Sequence, residues 1–454
     1  MQVQRWSTDC SLKHYEARSL RAFFMGASIM KKALQLYTVV AAAIAGFFAG
    51  MAEIAFCHLH NHMARQGMIL GANTLTGLIP TIYNAADVVS RELVGLIPAV
   101  SSDMQFTRAA VGQVVSSPVT GAATATDITP AVTPPNDGDQ TVNAINMTIT
   151  KARRVPIRWN GEEKLGLDNN GAKFNIIFRD QVAQAMRTLT NEVESDLAAL
   201  HAFASRAYGT AGTTPFASNL GDPAQMRKIL ADNGAPPTDM QLVIDTSAGA
   251  AMRTLAQLTK ANEAADTSLL RRGVLLDIHG FAIRESAGIK TSVAGTGSGA
   301  TTNATGYPVG ATVITLASAG TGTLLAGDAV SFAGDTNKYL LGSGDADTSN
   351  GGTITLAAPG LRKAIPAAAT AITVVAAATR NMAFARSAIQ LATRAPALPP
   401  QGDSAVDRQL VTDPVSGLTF EIAMYAQYRQ MQYEVSMAWG VKAVKTEHMG
   451  ILLG

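Results

Sequence analysis

The feature that most limits how this chain can fold is one long amphipathic repeat. Phe174, Phe178, Val182, Met186, Leu189, Val193, Leu197 and Leu200 recur at three- and four-residue steps, while Arg179, Arg187, Glu194 and Asp196 fall elsewhere on the wheel. The spacing predicts a single helix over 172–208, about 55 Å long at 1.5 Å per residue. That exceeds most globular helices and suits a structural spine on which other elements lie.

The sequence after the spine alternates short helical and strand signals. "DPAQMRKILADNG" reads as a helix with Asp222 at its N-cap, Pro223 in the first turn and Gly234 as its stop. "MQLVIDT" reads as a buried strand and "SAGAAMRTLAQLTKANEA" as a helix. "GVLLDIHGFAIRES" reads as a strand pair turning near His279 and Gly280. From Thr291 the composition becomes rich in Gly, Thr and Ser. "ATVITLAS", "GDAVSFAG", "KYLLGS", "GTITLAAP" and "TAITVVAA" then follow at short spacings, the pattern of a small all-β barrel or sandwich. At Arg380 mixed character returns, with long strands in "LTFEIAMYAQY" and "QYEVSMAWGVKAVKTEHMGILL". The β-rich stretch therefore reads as an insertion within an α+β body.

Upstream of the spine, 106–159 reads as a two-armed excursion. "QFTRAAVGQVVSSPVT" leads out and "NAINMTITKARRVPIRW" leads back, with Ile145, Met147 and Ile149 alternating. The tip, "GAATATDITPAVTPPNDGDQ", is too polar to hold a core of its own. An arm of this kind fits a chain that reaches over a neighbouring subunit.

Composition supports that view. Only 15% of the 454 residues are charged, against roughly 25% in a typical soluble domain, as expected if other subunits cover much of the surface. An Ala-, Gly-, Thr- and Ser-rich proteome is the bland alternative. Lys plus Arg (36) nearly balance Asp plus Glu (34), which argues against a protein that grips nucleic acid mainly through phosphates. Two cysteines, Cys10 and Cys57, exclude a disulfide framework.

Residues 1–67 differ from the rest. Arg5, Lys13, Arg18, Arg21, Lys31 and Lys32 precede an apolar run, 33–57, long enough as a helix to cross a bilayer. A signal anchor, a secretory signal, and sequence upstream of a true start at Met63 or Met68 all remain open. Cys57, His58, His60 and His62 carry donors that suit zinc or copper, but only His58 and His62 would share a helix face and no second ligand group follows. No metal site is assigned.

No catalytic constellation emerges. His201 and His279 are isolated, "GTGSGA" at 295–300 lacks the strand and helix of a phosphate cradle, and "DADTSNGG" at 345–352 lacks the glycine and glutamate of a calcium loop. Glu162 and Glu163, read as strand neighbours, would point to opposite faces. The basic run Lys151, Arg153, Arg154 and Arg158 is the one patch suited to an acidic partner or to phosphates. Lys151, Arg153, Arg154, Arg158, Glu162 and Glu163 are the candidate inter-subunit contacts. No enzyme activity, cofactor or small-molecule substrate is expected.

The order of these features resembles tailed-bacteriophage major capsid proteins. More narrowly it resembles the P-twenty-two-type coat protein family, which has the Hong Kong ninety-seven fold with an inserted domain. The matching stretches are "ANTLTGLIPTIYNAADVVSREL", "GDAVSFAG", "NMAFARSAIQLATRAPALP" and "YEVSMAWGVKAVKTEHMGILL". The resemblance implies an α+β capsid fold: an N-terminal arm at 68–105, an extended β-hairpin loop at 106–171, the spine at 172–208, central and peripheral parts at 209–290 and 377–454, and an inserted β-barrel at 291–376. It implies self-assembly into hexamers and pentamers of an icosahedral head around double-stranded DNA, in the virion after assembly in the host cytoplasm. Scaffolding and portal proteins would be partners, with non-specific contact to packaged DNA. Two departures stand out. Ser292–Gly310 carries no charge where the family places a charged loop, and residues 1–67 have no counterpart. A membrane helix on every subunit would oppose shell assembly, which favours a later start. The alternative is a membrane-anchored surface or adhesin protein that uses 33–57, and a hydrolase with a dispersed site is a further rival.

Overall fold

Twenty-six residues of the amphipathic repeat, Phe174–Ala199, form a helix in a computed structural model of the chain. The structure describes residues 93–120, 125–134, 138, 142–169, 174–259, 277–414 and 416–454. The apolar run 33–57, the Cys57–His62 cluster and the part of the N-terminal arm before residue 93 lie outside these residues. Among the described residues no helix is long and apolar enough to cross a membrane.

In chain order, β1 (Ser101–Ala109), β2 (Val114–Thr120), β3 (Val142–Thr148) and β4 (Lys151–Asn160) precede α1 (Gly161–Asn169) and the spine, α2 (Phe174–Ala199). Next come β5 (Arg206–Tyr208), α3 (Gly221–Asp232), β6 (Met240–Ile244), α4 (Thr246–Thr254), α5 (Ala256–Thr259) and β7 (Phe281–Glu285). The β-rich stretch holds β8 (Val313–Leu316), β9 (Ala329–Phe332), β10 (Lys338–Ser343), β11 (Gly352–Leu356) and β12 (Ile372–Val374). The chain then adds β13 (Arg380–Ala385), β14 (Ile389–Pro396), β15 (Ala405–Thr412), β16 (Thr419–Gln427), β17 (Gln430–Ala443) and β18 (Met449–Leu453).

Two sheets organise the body. The first runs β1-β14-β17-β16-β15, with β4 on the far side of β17; β1 is parallel to β14 and the other neighbours are antiparallel. The spine covers one face of this sheet. Phe178, Val182, Met186, Leu189 and Val193 meet Ile422, Tyr433, Val435, Met437 and Trp439 in the largest core, all buried. Each such side chain, fully buried, stabilises the fold by about 1.5–3 kcal/mol, so this contact alone fixes where the spine lies. The second sheet runs β12-β9-β10-β5-β18-β13-β6-β7, with β11 and β8 continuing from β10.

Several expectations are corrected here. The spine is shorter than 172–208: it tightens to a 3-10 turn at Leu200–Phe203, and Ala204 is extended. The cause is tertiary. Arg206–Tyr208 is drawn into the second sheet between β18 and β10. Arg206 is buried there, donating to the Ile229 carbonyl (3.1 Å) and Asn233 Oδ1 (3.2 Å). Asp222 is not the N-cap of α3 but sits in its first turn, where it accepts the Phe216 backbone N–H at 2.9 Å. The helix expected after β6 breaks at Leu255 into α4 and α5. The stretch 291–376 holds a core of its own, with Ile314, Val330, Phe332, Leu341 and Ile354 buried together, and joins the body's sheet where β10 pairs with β5. Finally, β1 and β4 belong to the first sheet, so the free part of the 106–171 excursion is the β2–β3 hairpin and the residues around its tip.

Candidate subunit interface

The basic run occupies β4, and strand alternation decides what each residue does. Lys151 and Arg153 share one face and Arg154 and Arg158 the other. The first pair turns to the spine. Lys151 Nζ lies 2.8 Å from Asp196 Oδ1 and 3.3 Å from Glu192 Oε1, while Arg153 Nε lies 3.2 Å from Glu192 Oε1. Burial pulls the Lys151 ammonium down, but the hydrogen bonds and charges of Asp196 and Glu192 outweigh it and hold its pKa above the ordinary lysine value. These two cations are satisfied within the subunit.

The second pair lies on the face away from the spine. Arg154 Nη1 meets Glu434 Oε2 at 2.7 Å. Arg158 is exposed, opposite Gln432 in the register. β4 pairs only with β17 among the described strands, which leaves its outer edge open. Pro156 within it fits an edge position, since proline cannot donate to a ladder. A shallow groove of ≈ 540 Å³ lies between β4, at Val155 and Ile157 on its spine-facing side, and Ile177, Gln181 and Gln184 on α2.

Glu162 and Glu163 are helical, not strand neighbours. Asn160 Oδ1 accepts the Glu163 N–H at 2.7 Å and Glu163 Oε2 accepts the Asn160 N–H at 3.1 Å, a reciprocal capping box that starts α1. The asparagine-to-glutamate spacing was present in the sequence. Glu163 is thereby occupied at the helix start, whereas Glu162 is exposed in the first turn.

The hairpin supplies the other half of the candidate surface. Among the described strands β2 and β3 pair only with each other, from Val114↔Thr148 to Thr120↔Val142. Near the tip, Ile128 is 98% exposed and Val132 105%. The hairpin root is better held: Met147 and Ile149 pack with Ala109, Ala392 and Ala438.

The two histidines raised from the sequence have structural places. His201 sits in the 3-10 turn after α2, with Nδ1 3.0 Å from the Ala198 carbonyl. Burial first, and the nearby Arg380 charge, lower its pKa despite that hydrogen bond. His279 occupies a tight turn with φ of 53°, and its carbonyl accepts Arg227 Nη1 at 2.5 Å. Among the described residues no group of three or more His, Cys, Asp or Glu side chains is placed to hold a metal ion.

No family model matches the chain, and no curated protein matches it. Among solved structures, that of Mycobacterium phage Che8 overlaps 75% of this chain and 84% of its own, at 12% identity and a TM-score of 0.40. The capsid of cyanophage P-SCSP1u overlaps 80% and 89%, at 11% identity and a TM-score of 0.42. A virus-like particle from Pyrococcus furiosus overlaps 83% and 97%, at 9% identity and a TM-score of 0.37. Overlaps at these scores carry no argument about this chain.

Proposed function

We propose that this chain is a structural shell subunit of the tailed-phage major capsid type, assembling with copies of itself into hexamers and pentamers that close around double-stranded DNA. The observation that carries this reading is the segment joining β2 to β3, where Ile128 and Val132 are fully exposed among the described residues. Apolar side chains held out in the irregular segment 125–134, beyond the last ladder pair Thr120↔Val142, are costly in water and suit burial against a partner. Charge supports a second copy as that partner. Between Arg108 and Lys151 the arm carries three aspartates and no lysine or arginine, while the outer face of β4 presents Arg154 and Arg158 along an open edge.

In this proposal Arg154, Arg158 and Glu162 face a neighbouring subunit, whereas Lys151, Arg153 and Glu163 serve the subunit's own fold. Scaffolding and portal proteins are further partners, packaged DNA is touched without sequence preference, and the chain performs no reaction. It resides in the virion after assembly in the host cytoplasm.

Electron microscopy and sedimentation of the full-length chain test this. Closed particles are expected in wild type, and Arg158→Glu should reduce them while leaving the thermal midpoint unchanged, because Arg158 is exposed. A wild-type chain that stays monomeric at every concentration, or that partitions wholly into membranes, sinks the proposal.

A further inference from the structure

The spine carries a carboxylate, Glu194, that is 2% exposed and has no basic partner among the ion pairs of the described residues. It is satisfied by donors alone. Oε1 accepts the backbone N–H of Gly95 (2.7 Å), the N–H of Leu96 (2.7 Å) and the Ser286 hydroxyl (2.6 Å); Oε2 accepts the Ile97 N–H at 3.0 Å. Three successive amides on one anion form a nest at the start of the 3-10 turn Ile97–Ala99. The fourth donor comes from the turn that leaves β7 toward 291–376. The two segments also touch directly: the Ala287 N–H donates to the Leu93 carbonyl at 3.0 Å, and Gly95 lies so close to the Glu285 carbonyl that a Cβ there would collide with it.

We propose that Glu194 is a clip that couples the position of 93–97, where the described chain enters the core, to the position of 286–288, where it departs for the β-rich stretch. The shared oxygen is the reason. The Leu96 amide and the Ser286 hydroxyl use the same acceptor, so moving either segment changes the carboxylate geometry felt by the other. A partner that displaces residues upstream of Leu93 then alters the Ser286 turn, and a load on the turn is felt at Leu96, since coupling between two sites is reciprocal. The clip is independent of the shell reading: it concerns one subunit, and its test needs no particle.

Backbone hydrogen exchange on the full-length chain reads the clip directly. In Glu194→Gln one acceptor oxygen becomes an NH₂ facing amide donors, and exchange at Gly95–Ile97 should rise about tenfold or more while β16 and β17 stay protected. The decisive variant is Ser286→Ala, which removes a hydroxyl that donates to the carboxylate and not to residues 95–97. It should speed exchange at Leu96 at least about threefold more than in β16 and β17, which report the general loss of stability from a buried hydroxyl that also accepts the Gly288 N–H at 3.1 Å. Exchange at 95–97 that rises no more than in β16 and β17 in Ser286→Ala overturns the coupling, and unchanged exchange in Glu194→Gln overturns the clip itself. If Glu194→Gln does not fold, Ser286→Ala decides alone.

Discussion

Asp196 Oδ2 accepts the indole N–H of Trp439 at 2.9 Å, and Trp439 is wholly buried. The other oxygen of the same carboxylate holds Lys151, so one spine residue ties the core of the first sheet to the start of β4. Asp196→Ala strands a buried donor and should cost about 1–3 kcal/mol. The lost ion pair adds little, because Lys151 is about a third exposed. Asp196→Asn keeps an acceptor for the indole and should lose less. Urea unfolding followed by tryptophan fluorescence separates the two.

Gly440 lies where the hairpin root crosses β17. A Cβ at this position would collide with the Thr148 backbone carbonyl. Gly440→Ala should destabilise the fold by about 1–3 kcal/mol through this backbone clash. The same variant should raise hydrogen exchange in β2 and β3 more than in β15, because the displaced strand is the one that roots the arm.

Tyr339 is buried, with its hydroxyl donating to Asp335 Oδ2 at 2.6 Å and accepting the Arg362 N–H at 2.9 Å. Burial, and then the hydrogen bond to Asp335, push its pKa up from 10.0 to about 12. The neutral phenol is therefore the form the fold favours. Its contribution is whole below the unfolded pKa of 10.0 and is lost between there and about 12. Stability should fall across that window, and Tyr339→Phe should flatten part of the slope. Tyr339→Phe should also cost about 0.5–1.5 kcal/mol at neutral pH through the lost hydrogen bond.

At the acid end, His201 and His448 both have pKa values lowered from 6.5, chiefly by burial. A lowered pKa means the folded state binds the proton less readily than the unfolded chain. The stability these histidines lend is present above the unfolded value and drains away as pH falls below it. The denaturation midpoint should drop as pH falls below 6.5, and His201→Gln should lessen the drop.

The strands of the β-rich stretch were legible because each signals itself locally. Val330 and Phe332 alternate inward, and Gly334–Asn337 turns the chain back into Lys338–Leu341. The end of the spine was not legible, because 200–208 has no residue that forbids a helix. Only pairing with β18, distant in sequence, recruits Arg206–Tyr208 as a strand. In β4 the alternation that divides Lys151 and Arg153 from Arg154 and Arg158 was available, and so was the four-residue spacing of Glu192 and Asp196 that receives the first pair. The partners of Glu194 were beyond reach, since three are backbone amides 97–99 positions away.

The short strand β5 bears on protein engineering. With only Arg206–Tyr208, it is the seam between β10 on one flank and β18 on the other. Excising 291–376 as a cassette, or grafting it elsewhere, would tear the second sheet along that seam and leave unpaired main-chain groups on both cut borders. Truncates made this way should precipitate by sticking border to border, unless the exposed rim is redesigned together with the cut.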